Sequence, residues 1–307
     1  MLVGLGGCAL QSSALQSDWP AGLPESAELD ATPFFPQTAY HCGPAALATA
    51  VGALGVHTDP ETVAERIFLP ARQGTLQVEM IAGVRREGVV PTRIPGTLES
   101  VLREVAAGHA VVILQNLGLG IAPAWHYAVV VGYDRERREI VLRSGIERRE
   151  RMLLRTFEHT WQRAGSWAFV ALPPGQWPVT AKSADAVEAA VGFERAAPPA
   201  TALKVYASAV QHWPDEPVLA VGLGNTAYAS GQMVLAADSF SYSARAHRSV
   251  PAWINLARTL LDSGYPDAAL EAARGAADAS KPDDGWQAAL AEVRTDAERA
   301  LARRPGR

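Results

Sequence analysis

The chain contains 307 residues, of which 48% are apolar and 20% are charged, and its net charge is −4 at pH 7. This length predicts about two domains, and the composition is that of an ordinary globular protein. The slight negative charge gives no reason to expect binding to nucleic acid, which needs a basic surface. The two cysteines are too few for a disulfide scaffold, and no apolar stretch approaches the ~18–20 residues of a membrane span.

Residues 1–32 are predicted to be a truncated signal followed by a linker. Cys8 follows Leu5-Gly6-Gly7, and this arrangement resembles the lipobox of bacterial lipoproteins, in which the cysteine is lipidated. The resemblance implies a membrane anchor on Cys8 and a place on the periplasmic side of the cell envelope, with the Ser-, Pro-, Ala- and Gly-rich residues that follow as a tether. A basic segment is missing and the apolar run before Cys8 is short for a signal. The alternative is therefore an apolar chain end in a cytoplasmic protein.

Residues 33–174 are predicted to form one domain that begins with helices. The segment "GPAALATAVGALG" predicts a helix that starts near Pro44, because proline suits the first helical turn. The segment "TDPETVAERIF" has Thr58 or Asp59 as a cap before an apolar-periodic run. Two further segments, "TLQVEMIAGVRREGV" and "TLESVLREVAAGH", predict helices that are closed by a glycine.

The second half of this domain is predicted to be a sheet. Short runs rich in Val and Ile are typical of strands, and four of them occur: "AVVILQN", "HYAVVVGYD", "EIVLRSG" and "WAFVALP". Because helices come first and strands afterwards, without alternation, the pattern predicts an α+β domain with an antiparallel sheet. The Pro- and Gly-rich "LPPGQWP" that follows predicts a linker.

Residues 182–304 are Ala-rich and are predicted to be helical throughout. Two segments align at an offset of 33 residues, with three matched pairs: Leu223 with Leu256, Gly231 with Gly264, and Ala236 with Ala269. A period near 34 with small residues at the crossing points resembles tetratricopeptide repeats. Stacked helix pairs make a groove, so we expect this domain to dock a protein partner or a substrate. A generic helical bundle is the alternative.

Cys42 is the candidate nucleophile, because it stands directly before Gly43, Pro44 and the predicted helix. A thiol attacks as its thiolate, and the N-terminus of a helix favours the negative form. His126, at the start of an apolar strand, is the candidate base that would favour the thiolate further. Gln37 is placed to donate to a developing oxyanion beside the backbone N–H of Cys42. The alternative for Cys42 alone is a small buried core residue.

The pattern "Q-x4-CGPAAL" followed by "HYAVVVGYD" resembles the C39 and C39-like cysteine peptidases of the papain-like superfamily. The resemblance implies a papain-like fold over residues 33–174, with Gln37 in the oxyanion hole, Cys42 as nucleophile and His126 as base. The family's third catalytic residue is an aspartate on the strand after the histidine, and here Ser144 stands near that place. Serine accepts a hydrogen bond from an imidazole but does not stabilise imidazolium by charge.

Two main functions stay open. One is a cysteine peptidase that hydrolyses peptide bonds with a Cys–His dyad or triad and docks its partner or substrate on the repeats. The other is a catalytically degenerate peptidase fold that binds a peptide or acts as a scaffold, which the serine at 144 favours. Amide transfer by the same dyad is a third hypothesis. No cofactor is expected, and the remaining histidines lack metal-ligand spacing.

Overall fold

The structure, a computed structural model, describes residues 10–37, 40–281, 283 and 285–303. The predicted lipidation site, Cys8, lies outside the described residues. The chain divides into two compact units, Met1–Ala189 and Ala190–Arg307. Within the described residues, no helix combines the length and the apolar character needed to cross a membrane.

The first unit is built on an antiparallel sheet, so the predicted α+β class is confirmed. Its strands in the described residues are β1 (Ser26–Glu28), β2 (Val90–Arg93), β3 (Val111–Asn116), β4 (Trp125–Asp134), β5 (Glu139–Ser144), β6 (Glu147–Leu153) and β7 (Ala168–Leu172). They pair in the order β2-β7-β3-β4-β5-β6, and β1 pairs with β4. Strands β3, β4, β5 and β7 are the four predicted from their Val- and Ile-rich runs. The others are short or, like β6, highly charged.

Helices cover both faces of the sheet. They are α1 (Leu10–Ser17), α2 (Cys42–Gly52), α3 (Pro60–Ile67), α4 (Gln77–Arg86), α5 (Leu98–Ala106) and α6 (Leu154–Gln162). Because successive strand residues point to opposite faces, Ala128 and Val130 of β4 pack with α5 and α6. Val129 and Val131 pack with α2, α3 and α4 on the other face. This two-sided burial explains why β4 reads as a continuous apolar run.

The predicted helix starts are found where the local signals place them. Asp59 caps α3 by accepting the backbone N–H of Thr62 at 2.8 Å, and Pro60 follows at the first helical position. Helix α2 begins at Cys42 and is buried from Gly43 to Val51, as expected for a helix whose residues are apolar on every side.

The described part of the predicted tether is structured instead. Glu158 of α6 accepts the backbone N–H groups of Gln11 and Ser12, at 3.0 and 2.9 Å, at the start of α1. Strand β1 adds to β4, and Gly132 allows this approach, since a Cβ there would lie 2.9 Å from the backbone oxygen of Ala27. Composition alone predicted a linker because the sheet and helices that hold this segment lie more than 80 residues along the chain.

The second unit is helical. After α7 (Ser183–Glu194), which spans the division between the units, the helices are α8 (Pro199–His212), α9 (Pro217–Ala229), α10 (Met233–Ala246), α11 (Val250–Asp262), α12 (Pro266–Ala279) and α13 (Gln287–Ala302). Helices α9 and α11 begin 33 residues apart, and so do α10 and α12.

The three matched pairs of the predicted repeat occupy equivalent places. Leu223 and Leu256 are both buried, and Ala236 and Ala269 are both fully buried. Gly231 and Gly264 have φ of 74° and 81° in the turns after α9 and α11. That region favours glycine, so the same residue closes the same turn in both copies. The helical region is therefore consistent with a repeat domain.

Candidate active site

Cys42 occupies the first position of α2, as the sequence predicts, but its environment does not favour a thiolate. Backbone hydrogen bonds from Tyr127, Gly43 and Cys42 itself act to lower the pKa of the thiol. Burial acts in the opposite direction and is the larger effect, so the pKa of Cys42 is raised above its ordinary value. The expected stabilisation by the helix end is present and is outweighed, because Sγ is enclosed by protein.

His126 lies at the second position of β4 and is oriented by β5. Its Nε2 atom is 2.9 Å from Oγ of Ser144, so Ser144 stands where the sequence comparison placed it, beside the candidate base. Burial lowers the pKa of His126, and the carboxylate of Glu150 opposes that effect. Both shifts favour the uncharged forms of the imidazole and of the Cys42 thiol. The described residues contain no hydrogen bond between Sγ of Cys42 and the imidazole.

Gln37 is held against the same strand end. Its backbone N–H donates to the carbonyl oxygen of Gly145 at 2.9 Å, directly after Ser144, and the residue lines the same cavity as Cys42. The hydrogen bond to Gly145 therefore places Gln37 in the same cleft as Cys42.

A cleft of about 850 Å³ brings three of the four predicted site residues together. Gln37, Cys42 and His126 all line it, and Ser144 lies buried behind His126. The other lining residues are Tyr40, Arg72, Gln73, Gly74, Thr75, Leu76, Gln77, Leu114, Pro123, Ala124, Trp125, Tyr127, Gly145 and Ala164. Cys42 and His126 border the cleft from different faces of β4: Cys42 packs with the core on the α2 side, and His126 lies on the α5–α6 side with Ala128. The cleft volume is in the range of ligand-binding pockets.

Sequence reasoning did not single out two residues that shape the thiol's surroundings. Tyr127 is buried beside Cys42, and burial and the nearby thiol both raise the pKa of its phenol. Thr75 packs against the start of α2 so closely that a Cβ on Gly43 would lie 2.7 Å from its side chain. Oγ1 of Thr75 is buried and lacks a hydrogen-bond partner. In the sequence, the only feature that points to Tyr127 is its position directly after the candidate base. No sequence feature points to Thr75.

In the part of the chain that the structure describes, His, Cys, Asp and Glu side chains form no group of three that would hold a metal ion. The chemistry available in the cleft is that of the thiol, the imidazole, the neighbouring hydroxyl and the backbone amides.

Comparison with known proteins found a family match and similar solved structures. Residues 29–169 match the model of the Peptidase_C39 like family. A C39-like peptidase structure from Bacillus anthracis is similar at 17% identity, covering 48% of this chain and 98% of that one, with a TM-score of 0.41. The type III secretion chaperone SycD of Yersinia enterocolitica, in complex with a peptide of the translocator YopD, is similar at 20% identity. That match covers 39% of this chain and 92% of the other, with a TM-score of 0.36.

None of the curated proteins matches this chain. Both TM-scores lie below 0.5, so the assignment depends on the family match and on the sheet and cleft described above. Residues 29–169 of this chain match the Peptidase_C39 like family and fold around an antiparallel sheet.

Proposed function

We propose that the chain is a cysteine peptidase that hydrolyses peptide bonds. Cys42 is the nucleophile, His126 the general base and acid, and Ser144 the residue that orients the imidazole. Gln37 donates to the oxyanion together with the backbone N–H of Cys42. The observation that supports this most directly is that Gln37, Cys42 and His126 line one cleft while Ser144 holds Nε2 of His126.

The hydrogen bond to Ser144 assigns the two ring nitrogens. If Nε2 carries the hydrogen and donates it to Oγ of Ser144, Nδ1 is left as the acceptor. A proton from the thiol then has one destination on the ring. Because Cys42 and His126 are both uncharged at rest, the thiol loses its proton during attack rather than before it.

The reaction follows from these protonation states. Sγ of Cys42 bonds to the substrate carbonyl carbon as its proton passes to Nδ1 of His126. The C–N bond then breaks while His126 returns the proton to the leaving amine, and an acyl-enzyme remains. Water adds to the acyl carbon and gives a proton to His126, the C–S bond breaks, and the proton returns to Sγ.

For the helical unit we propose a tetratricopeptide-like repeat domain that docks a protein partner or presents the substrate. The equal 33-residue spacing of α9 with α11 and of α10 with α12 supports this. So do the equivalent places of the matched leucines, glycines and alanines. Anchoring in the cell envelope through a lipid on Cys8 is a separate proposal, supported by the lipobox-like "LGGC". The intact mass of the protein isolated from membranes tests it.

A second candidate is a peptidase fold that binds a peptide without cutting it. Two observations favour this candidate: the pKa of the Cys42 thiol is raised, and an uncharged serine holds Nε2. In serine proteases, loss of the orienting carboxylate lowers kcat by about 10⁴.

The two candidates are separated by incubating the full chain with a library of cellular peptides and identifying new termini by mass spectrometry. We expect cleavage that Cys42→Ala abolishes, that His126→Ala reduces by about 1000-fold or more, and that Gln37→Ala reduces by about 100-fold. His57→Ala is the matched control, because His57 is exposed and lies outside the cleft. If the wild-type chain leaves every peptide intact while Cys42→Ala still binds peptides, the binding candidate is correct.

A further inference from the structure

Glu150 lies on the edge strand next to the site and faces the same side of the sheet as His126. In the β5–β6 ladder Leu142 is opposite Glu150 and Ile140 is opposite Met152. Leu142, Ile140 and Met152 belong to the core on the α5–α6 side of the sheet. Since alternate residues of a strand share a face, Glu150 points to that side as well.

His126 is on this face too. In the β3–β4 ladder it is opposite Gln115, and Ala128, two residues further on, packs into the same core. Nε2 of Gln115 contacts Sδ of Met152 at 3.8 Å. One side of the sheet therefore carries, from β4 to β6, the imidazole, the hydroxyl of Ser144 that bonds to it, and the carboxylate of Glu150.

Glu150 differs from the two arginines directly beside it in that its side chain has no ion-pair partner. Arg149 bonds to Glu28 and Arg151 to Glu139 on the opposite face of β6. Among the described residues the side chain of Glu150 has neither an ion pair nor a hydrogen bond, although it is half-buried. A partly desolvated carboxylate without a partner favours positive charge nearby, and it acts to raise the pKa of His126.

We propose that Glu150 is a positioning residue that supplies, through space, the negative charge that Ser144 lacks. Ser144 fixes the ring and the tautomer, and Glu150 stabilises the imidazolium that forms when His126 takes the proton of Cys42. In the family one aspartate both orients the imidazole and supplies negative charge. Here these two tasks are divided between Ser144 on β5 and Glu150 on β6. This inference depends on the proposed function for its role in catalysis, but not for the electrostatic effect of Glu150 on His126.

The other ionisable groups around His126 do not replace Glu150. Burial raises the pKa of both Cys42 and Tyr127, so neither carries negative charge at neutral pH. Arg72 lines the same cleft and Arg163 donates to the backbone oxygen of Asn116. Both are positive and oppose an imidazolium.

The direct test is the pKa of His126, measured by NMR titration of the full chain with labelled histidine. The spectrum of His126→Gln assigns the resonance. We expect Glu150→Gln to shift the pKa of His126 downwards by about 0.5, and Glu150→Asp to shift it less. Glu136→Gln is the matched control, since it removes the same charge from an exposed residue in the β4–β5 turn. An unchanged pKa in Glu150→Gln, or an equal shift in Glu136→Gln, overturns the proposal.

Kinetics provide a second readout. In Glu150→Gln we expect the lower pKa of the kcat/KM profile, which reports the free enzyme, to shift in the same direction. The maximum of that profile should fall by about 5-fold, with partial rescue in Glu150→Asp. A fall in kcat/KM without a shift of the profile overturns the electrostatic role. If no peptide is hydrolysed at all, the proposed function fails, and the NMR titration still decides whether Glu150 acts on His126.

Discussion

The two units bury polar groups in different ways. In the sheet unit three side chains of the acidic and basic residue types, Glu104, Arg143 and Glu158, are almost completely buried. In the described part of the helical unit, the buried polar side chains are hydroxyls: Thr226, Ser239, Ser243 and Thr259. Three of these, on Thr226, Ser239 and Thr259, donate to a carbonyl one turn back in their own helix. The sheet unit is thus held by charges that reach across the chain, and the helical unit by contacts that are local in sequence.

Each buried charge of the sheet unit fixes a segment that lies outside the sheet. Glu104 accepts the backbone N–H groups of Val179 and Thr180 and the hydroxyl of Thr180, and it lies 2.7 Å from Nδ1 of His109. Arg143 donates to carbonyl oxygens of the segment that leads from β1 towards Gln37. A site assembled from distant segments requires this kind of anchoring, and a stack of helices does not.

The helical unit relies on close approach instead. A Cβ at Gly222 would lie 2.2 Å from the ring of Tyr206, and one at Gly224 would lie 2.4 Å from the ring of Phe240. These glycines lie inside a helix, where they are less favourable than alanine. Their presence is explained by the aromatic rings that occupy the space a side chain would take.

The largest effect that separates the two units is expected from Glu104→Ala. The substitution removes the buried acceptor of two backbone N–H groups and a hydroxyl, so we expect the free energy of unfolding to fall by about 3 kcal/mol. Urea titration followed by near-UV circular dichroism measures it. Glu99→Ala is the control on the same helix, because its pair with Arg103 is exposed to solvent. Equal losses in both variants would contradict the anchoring role of Glu104.

A smaller loss is expected in the helical unit from Gly222→Ala. Helix propensity alone favours alanine by about 1 kcal/mol, but the clash with Tyr206 should reverse the sign and destabilise the protein by about 1–2 kcal/mol. The urea midpoint measured by far-UV circular dichroism gives the sign. In Gly275→Ala the nearest ring, that of Trp253, is 3.0 Å away, so we expect a smaller loss. A higher midpoint for Gly222→Ala would show that Tyr206 moves away without penalty.

The same contrast explains which features the sequence could predict. The start of α3 after Asp59, the start of α2 close to Pro44, the strand that carries His126 and the glycine turns of the repeat are encoded by neighbouring residues. Ser144 was found because it stands on the strand after His126. The acceptors Glu104 and Glu158 lie at least 75 residues from the backbone groups they bind. No local pattern marks them, and both segments were therefore predicted to be linkers.

The pKa of Cys42 could not be predicted from the sequence for the same reason. The helix position is local and was found, whereas the burial that dominates the pKa comes from residues on other elements, including Tyr127 on β4. The helix dipole and burial by distant residues act on the pKa of Cys42 in opposite directions. Their net effect can therefore be judged only from the folded structure.

The smallest expected effect concerns the reactivity of Cys42. It can be tested by comparing this thiol of the sheet unit with a thiol added to the helical unit. The variant Ala288→Cys adds an exposed thiol to α13 of the helical unit, so both thiols can be compared in one chain. Because burial raises the pKa of Cys42, a smaller fraction is thiolate at pH 7. We expect iodoacetamide to label Cys42 several-fold more slowly than the added thiol, as measured by mass spectrometry of the two peptides.

The pH dependence of that labelling shows whether the pKa of Cys42 is raised or lowered. The rate at Cys42 should rise with pH and reach its midpoint above 9.0, the ordinary value for a thiol on this scale. The neutral form is favoured in the folded state, so its contribution to stability is present below the ordinary pKa and is lost as pH rises through the raised one. In 4 M urea, or in whatever concentration unfolds the chain, both thiols should react alike. Faster labelling of Cys42 at pH 7 in the folded chain would mean that its amide contacts and His126 outweigh burial, and that the resting site is an ion pair.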